Sequence, residues 1–187
     1  MSVDQASGDA AVRHLYGDAY SYVATGPRRN EDSTLDVLAV MSRTAPDPRG
    51  WARIDDPAQT PEGQRFPTYP FIIRPTEYVT PRLKEIDRES AENLLLALTE
   101  GGCTLANLQH FTESESELRA MARTIVERYG DAATCRTNVS MTGSAPGTLD
   151  FTLNSLEYSP MTHYTEDCGL VVMSDTEVGL FWTFNDL

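Results

Sequence analysis

The sequence predicts an α+β fold: two or three helices packed on a C-terminal antiparallel β-meander, with a long Pro-rich irregular segment. Three observations carry that reading. Apolar residues recur at helical spacing over 88–100 and 115–129. The period drops to two from about residue 135. Pro46, Pro48, Pro57, Pro61 and Pro67 punctuate residues 44–70. A helix brings positions i, i+3 and i+4 to one face, whereas a strand sends successive side chains to opposite faces, so the two periods separate the two kinds of element.

Taken in order, residues 10–24 read as an amphipathic helix, with Val12, Leu15, Tyr16, Ala19 and Val23 at helical spacing and Gly26-Pro27 as the stop. Gly17 weakens that helix by about 1 kcal/mol relative to alanine. Residues 34–42 read as a strand buried on both faces, a helix behind an Asp32 or Ser33 cap being the alternative. Proline fixes φ and removes a donor, so residues 44–70 are expected as loop, with a short strand at Trp51–Ile54. Tyr69–Arg74 suits an edge strand, because Pro70 and Pro75 cannot serve a central ladder.

Residues 88–100 put Ala91, Leu94, Leu95 and Leu98 on one face, and Gly101-Gly102 end that helix. Residues 115–129 are the best-defined element. Thr112 with Glu115 and Ser114 with Glu117 both match the capping box, and Leu118, Met121, Ala122, Ile125 and Tyr129 form the stripe. Beyond it, Cys135–Met141 and Leu149–Leu153 alternate and are expected to pair as a hairpin through Gly143–Gly147. Cys168–Ser174 and Val178–Asn185 form a second hairpin about Asp175-Thr176. Its strands are apolar on both faces, which places them centrally or against a partner.

A chain of 187 residues is expected as a single domain spanning 1–187, with the sheet in 132–187. Its apolar content of 40% and charged content of 23% are those of a globular protein rather than a disordered or membrane one. No apolar run approaches a membrane span, and residues 1–24 lack a basic n-region, so a cytoplasmic protein, or one built into a particle assembled there, is expected. Cys103, Cys135 and Cys168 show no CxxC spacing and read as buried free thiols.

The net charge is −13, and Lys84 is the only lysine. This composition resembles that of salt-adapted or GC-rich sequences. From Thr137 onward there are seven acids and no Lys or Arg, which argues against direct nucleic-acid binding through that half, since nothing there displaces phosphate counterions.

No nucleophile elbow, phosphate loop, dinucleotide fingerprint or zinc-protease motif is present, and no cofactor or metal is predicted. His14 and His110 read as surface or packing residues, and Cys168 as a poor nucleophile beside Glu166 and Asp167. Two candidate surfaces remain. The predicted topology gathers Glu157, His163, Glu166, Asp167 and Asp186 at one end of the sheet, as a solvated acidic rim or a site for a divalent cation or acid–base chemistry. Tyr69, Phe71, Tyr78, Phe181 and Trp182 form the other, as core packed on the Pro-rich segment or as a subunit interface.

The function expected from these features is a non-catalytic protein-interaction or assembly component that contacts other protein chains. One such role is a structural subunit of a larger particle, for example a virion neck or tail. An acidic inhibitor of a basic protein, of immunity or antitoxin type, is the first alternative, and a small metal-dependent enzyme the second. If the acidity is a salt adaptation, screening removes self-repulsion and the melting temperature rises by several degrees from low salt to molar KCl. A flat or falling Tm in thermal denaturation would leave nucleotide composition as the explanation.

Overall fold

The computed structural model describes residues 3–55, 68–140, 143–152 and 157–186. Strands β1 (Ser21–Pro27), β2 (Lys84–Ile86), β3 (Thr134–Thr137), β4 (Glu166–Met173) and β5 (Glu177–Asn185) form one antiparallel sheet in the order β1-β5-β4-β3-β2. The helices are α1 (Gln5–Tyr16), α2 (Ser33–Met41), the single turn α3 (Thr76–Val79), α4 (Arg88–Ala97) and α5 (Glu115–Glu127). Short 3-10 turns occupy Thr80–Arg82 and Leu105–His110. Among the described residues no helix is long and apolar enough to cross a membrane.

The second predicted hairpin is the centre of the sheet, and every residue of β4 is buried. Both faces are apolar because both are covered. Cys168, Leu170, Val172 and Phe181 join a core closed by α1, α4 and α5. Val171, Met173, Val178, Leu180 and Trp182 join a second core, closed by α2 together with Tyr69, Phe71 and Met161. Two glycines make this packing possible. A Cβ on Gly169 would lie 2.0 Å from the Trp182 ring, and one on Gly179 would lie 1.9 Å from the Tyr129 hydroxyl.

The α5 helix starts as its sequence dictates: Ser114 accepts from the Glu117 N–H while the Glu117 carboxylate accepts from the Ser114 N–H at 2.8 Å. Asp4, Asp32 and Asp87 cap α1, α2 and α4 in the simpler one-way manner.

Several expectations are corrected. The first helix runs from Gln5 to Tyr16, and Ser21–Pro27, read as its continuation, is β1 instead. Tyr22 and Val23 are buried on opposite faces of the sheet, and the exposed edge of β5 supplies the ladder that overrides local helical spacing. Residues 34–42 adopt the helical alternative, with Asp32 Oδ1 accepting from the Thr34 N–H at 2.9 Å. Trp51–Ile54 is a turn, and Tyr69–Arg74 contributes one bridge, Phe71 to Thr162. The sheet also recruits β1 and β2 from the N-terminal half, so it is not confined to 132–187.

Of the first predicted hairpin, the Gly143–Thr148 turn forms and Val139 bridges to Tyr158. The β3 ladder itself is spent on β2 and β4. Met141, Leu153 and Asn154 lie outside the described residues.

Within 44–70, Pro57, Pro61 and Pro67 lie outside the described residues, but the first part has a definite anchor. The Arg49 guanidinium donates to the carbonyls of Tyr16 (2.8 Å), Ala19 (3.1 Å) and Ser21 (2.6 Å), and pairs with buried Asp47 at 2.8 Å. One arginine thus satisfies the open carbonyls at the α1–β1 junction and ties the proline-bearing segment to it.

Leu118 and Ile125 are each 1% exposed at the centre of the α5 stripe. Leu118→Ala and Ile125→Ala are each expected to cost about 2 to 5 kcal/mol. Urea denaturation with unchanged midpoints would remove α5 from the core.

Candidate functional site

The five residues expected at one end of the sheet do not share one environment. Glu157, His163 and Asp186 are exposed, whereas Glu166 and Asp167 are buried on opposite faces of β4. Asp186 accepts from the Thr165 N–H at 3.2 Å and so closes the loop entering β4. Among the described residues no group of three or more His, Cys, Asp or Glu side chains is arranged to hold a metal ion.

Asp167 is fully buried, and both of its oxygens act as acceptors. Oδ2 takes the N–H groups of Met161 (2.5 Å) and Thr162 (2.6 Å), and Oδ1 takes the indole N–H of Trp182 at 2.7 Å. Burial pushes its carboxyl above the ordinary value while these donors pull it back. With both oxygens accepting, the carboxylate is the form the site is built around.

Glu166 differs. Its Oε1 accepts from the Gly102 N–H, but Oε2 is buried with no hydrogen-bond partner, and burial again raises the carboxyl. Next to it on the same face, the Cys168 thiol is pushed strongly up by contact with the Cys103 thiol and by burial, which makes it an inert packing group. Cys135, on the neighbouring strand, is pushed up by burial to about 11.

Four of the five candidate aromatics are interior. Trp182 and Phe181 lie on opposite faces of β5, Phe71 stands edge-on to Trp182 at 5.4 Å, and Tyr69 stands edge-on to Phe184 at 5.9 Å. The Tyr69 hydroxyl links those of Tyr20 (2.8 Å) and Tyr164 (2.5 Å), and burial raises its pKa. These residues are core packing for the Pro-rich segment. Tyr78 is the exception and stays partly exposed on α3.

Two arrangements appear that sequence reasoning missed. The first is a cleft of about 360 Å³ between α1 and the segment 99–113. His14 Nε2 lies 2.7 Å from Glu113 and His110 Nε2 lies 2.8 Å from Glu100, so two imidazole–carboxylate pairs line it. Its hydroxyls are both engaged as donors: Thr99 gives its proton to the Leu96 carbonyl and Thr112 to Glu113. The lining can exchange protons or hold a hydrogen-bonding group. The partners are 99 and 10 residues apart, a spacing that carries no local signal.

The second is a surface around α3. Arg82 and Arg74 place their guanidinium carbons 3.7 and 4.6 Å from the Tyr78 ring centroid. Arg82 also donates to the Tyr78 carbonyl at 2.8 Å, and the Tyr78 hydroxyl donates to the Pro160 carbonyl at 3.1 Å. Beside them Ile73 is 77% exposed, and a 2.8 Å hydroxyl contact between Thr34 and Thr80 brings the first turn of α2, with half-exposed Leu35, against the same element. The sequence signal is the four-residue spacing of Arg74, Tyr78 and Arg82, masked by Pro75 and Pro81 on either side.

Burial raises both carboxyls, but Asp167 has donors on both oxygens and Glu166 Oε2 has none, so the two generate different expectations for substitution. A raised Glu166 favours the folded state when protonated; its contribution is present below its ordinary 4.5 and is lost as pH rises through the folded value. Glu166→Gln is therefore expected to flatten the fall in stability above pH 4.5 and to stabilise the protein at pH 7. Asp167→Asn sets an N–H₂ group against N–H donors and is expected to lower stability at pH 7 by about 1 to 3 kcal/mol. Denaturant titrations across that pH range distinguish them; two losses of equal size would show Glu166 to be as well accommodated as Asp167.

No protein-family model, curated protein or solved structure was found that matches this chain.

Proposed function

We propose that this chain is a non-catalytic interaction or assembly component that docks on other protein chains through the α3 face. The observation that carries the reading is the exposed Ile73 set beside the Arg74–Tyr78–Arg82 stack. Nearly every other large apolar side chain among the described residues is covered, whereas Ile73, the residue before Arg74, stands in water. Aromatic and arginine side chains dominate the energetics of protein interfaces, and stacking on Tyr78 holds the guanidinium groups in place before a partner arrives.

The buried acids fit the same reading. Asp167 spends its oxygens on three N–H donors of the chain itself, and Glu166 faces a backbone turn. Both serve architecture rather than turnover. Incorporation into a larger particle would use the same α3 face.

Photo-crosslinking in the source cells tests the proposal. Benzoylphenylalanine in place of Ile73 is expected to yield discrete crosslinks to protein chains, and the same group in place of exposed Asp175 is not. Equal labelling from both positions, or none from position 73, would overturn it.

A further inference from the structure

We infer that Cys103 and Cys168 are an oxidation site, at which a small disulfide of the glutathione class links the pair and so fastens the turn after α4 to β4. The inference is independent of the docking surface above. It starts from how the backbone seats the two thiols. Glu166 and Cys168 lie two residues apart on β4 and so share a face of the sheet. The Glu166 carboxylate accepts the N–H groups of Gly102 and Cys103, which holds the turn over that face. The chain reverses there through two left-handed residues, Gly102 at φ 89° and Cys103 at φ 40°. Both cysteines are buried in the same core, and their thiols are in hydrogen-bond contact. A disulfide sets its sulfurs about 2 Å apart, so a small shift of the turn closes that contact to a bond.

The turn is also the route by which an oxidant enters. A left-handed residue that carries a Cβ keeps its conformation only while its surroundings impose it, and here Glu166 does so with a carboxylate whose Oε2 has no hydrogen-bond partner. Cys135, the third thiol of this core, lies instead on β3 with a ladder on either side. Local opening of the turn therefore exposes Cys103 and Cys168 while Cys135 stays covered. Cys168 is inert while buried, so Cys103 reacts first. It loses its proton to water, and its thiolate attacks one sulfur of the small disulfide. That S–S bond breaks, a mixed disulfide forms on Cys103 and one small thiolate leaves. Cys168 then gives up its proton in the opened turn and attacks the Cys103 sulfur, expelling the second small thiolate. The two cysteines lose two electrons, the small disulfide gains them, and the two protons end on the two small thiols.

Incubation of the reduced, folded chain with oxidised glutathione tests this, followed by alkylation in denaturant and peptide mass spectrometry. The expected product is a Cys103–Cys168 cross-link with Cys135 recovered as the alkylated free thiol. Cys168→Ser is expected to stop at a glutathione adduct on Cys103. Glu166→Ala removes the acceptor that holds the turn and is expected to speed cross-linking about tenfold or more, with Cys135 still unreacted.

Three thiols that survive the incubation overturn the inference. So does a link that includes Cys135, or a glutathione adduct that persists on Cys103 of the unsubstituted chain. An adduct-free Cys103 in the Cys168→Ser variant overturns the order of attack, and a rate that Glu166→Ala leaves unchanged overturns the turn as the route of entry.

Discussion

A buried carboxylate organises the second layer of this protein. Asp167 sits at the start of β4 where the loop before it and the last strand converge, and it takes two N–H groups from the loop and one from the strand. Removing a charge from water is costly, and it is tolerable only where donors replace the lost hydration. Those donors fix the geometry in turn. The loop must place Met161 and Thr162 over the strand, which carries the Met161 side chain into the core and Tyr164 to the hydroxyl of Tyr69. Trp182 must point its indole N–H inward, which lays its ring over Gly169. Asn138 completes the arrangement: its amide donates to the Asp167 carbonyl and its oxygen accepts from the Gly169 N–H, continuing the β3–β4 ladder past the end of β3.

A second polar anchor does the same work on the other side of the second core. Arg49 and Asp47 fasten the proline-bearing segment to the end of α1 and the start of β1, so the cover that Trp51 provides over Tyr22 depends on hydrogen bonds more than on regular structure. The two layers therefore differ in kind. One is closed by three helices with apolar stripes, the other by α2 together with irregular chain held at a few buried polar points.

That difference explains what could be read from the residues alone. The α4 and α5 helices and the β4–β5 hairpin are periodic, capped and local, and each appears where its pattern indicates. The edge strands are not local. Ser21–Pro27 resembles a helical continuation until β5, more than 150 residues later, offers it a ladder. The acidic end of the sheet looked like one cluster because topology gathers Glu157, His163, Glu166, Asp167 and Asp186. Strand alternation then sends Glu166 and Asp167 to opposite faces, a separation that neighbours in sequence conceal. The α3 face is half legible: Tyr78 stands out as an aromatic, but Arg74 and Arg82 acquire meaning only through their stacking on its ring.

The pairing of β1 with β5 carries a consequence for how the molecule comes into being. Ser21 lies opposite Thr183, so the first strand has no ladder until the last has been made. Contacts of such sequence separation slow folding, because the closure entropy of the intervening chain is lost before the ladder rewards it. During synthesis α1 and the segment bearing Tyr22 and Val23 emerge early and wait, with apolar surface uncovered, while the rest of the chain is translated. Growth from the N-terminus thus lets β2, β3 and β4 pair before β1 can join, and a chain that ends before β5 leaves its first strand without its ladder.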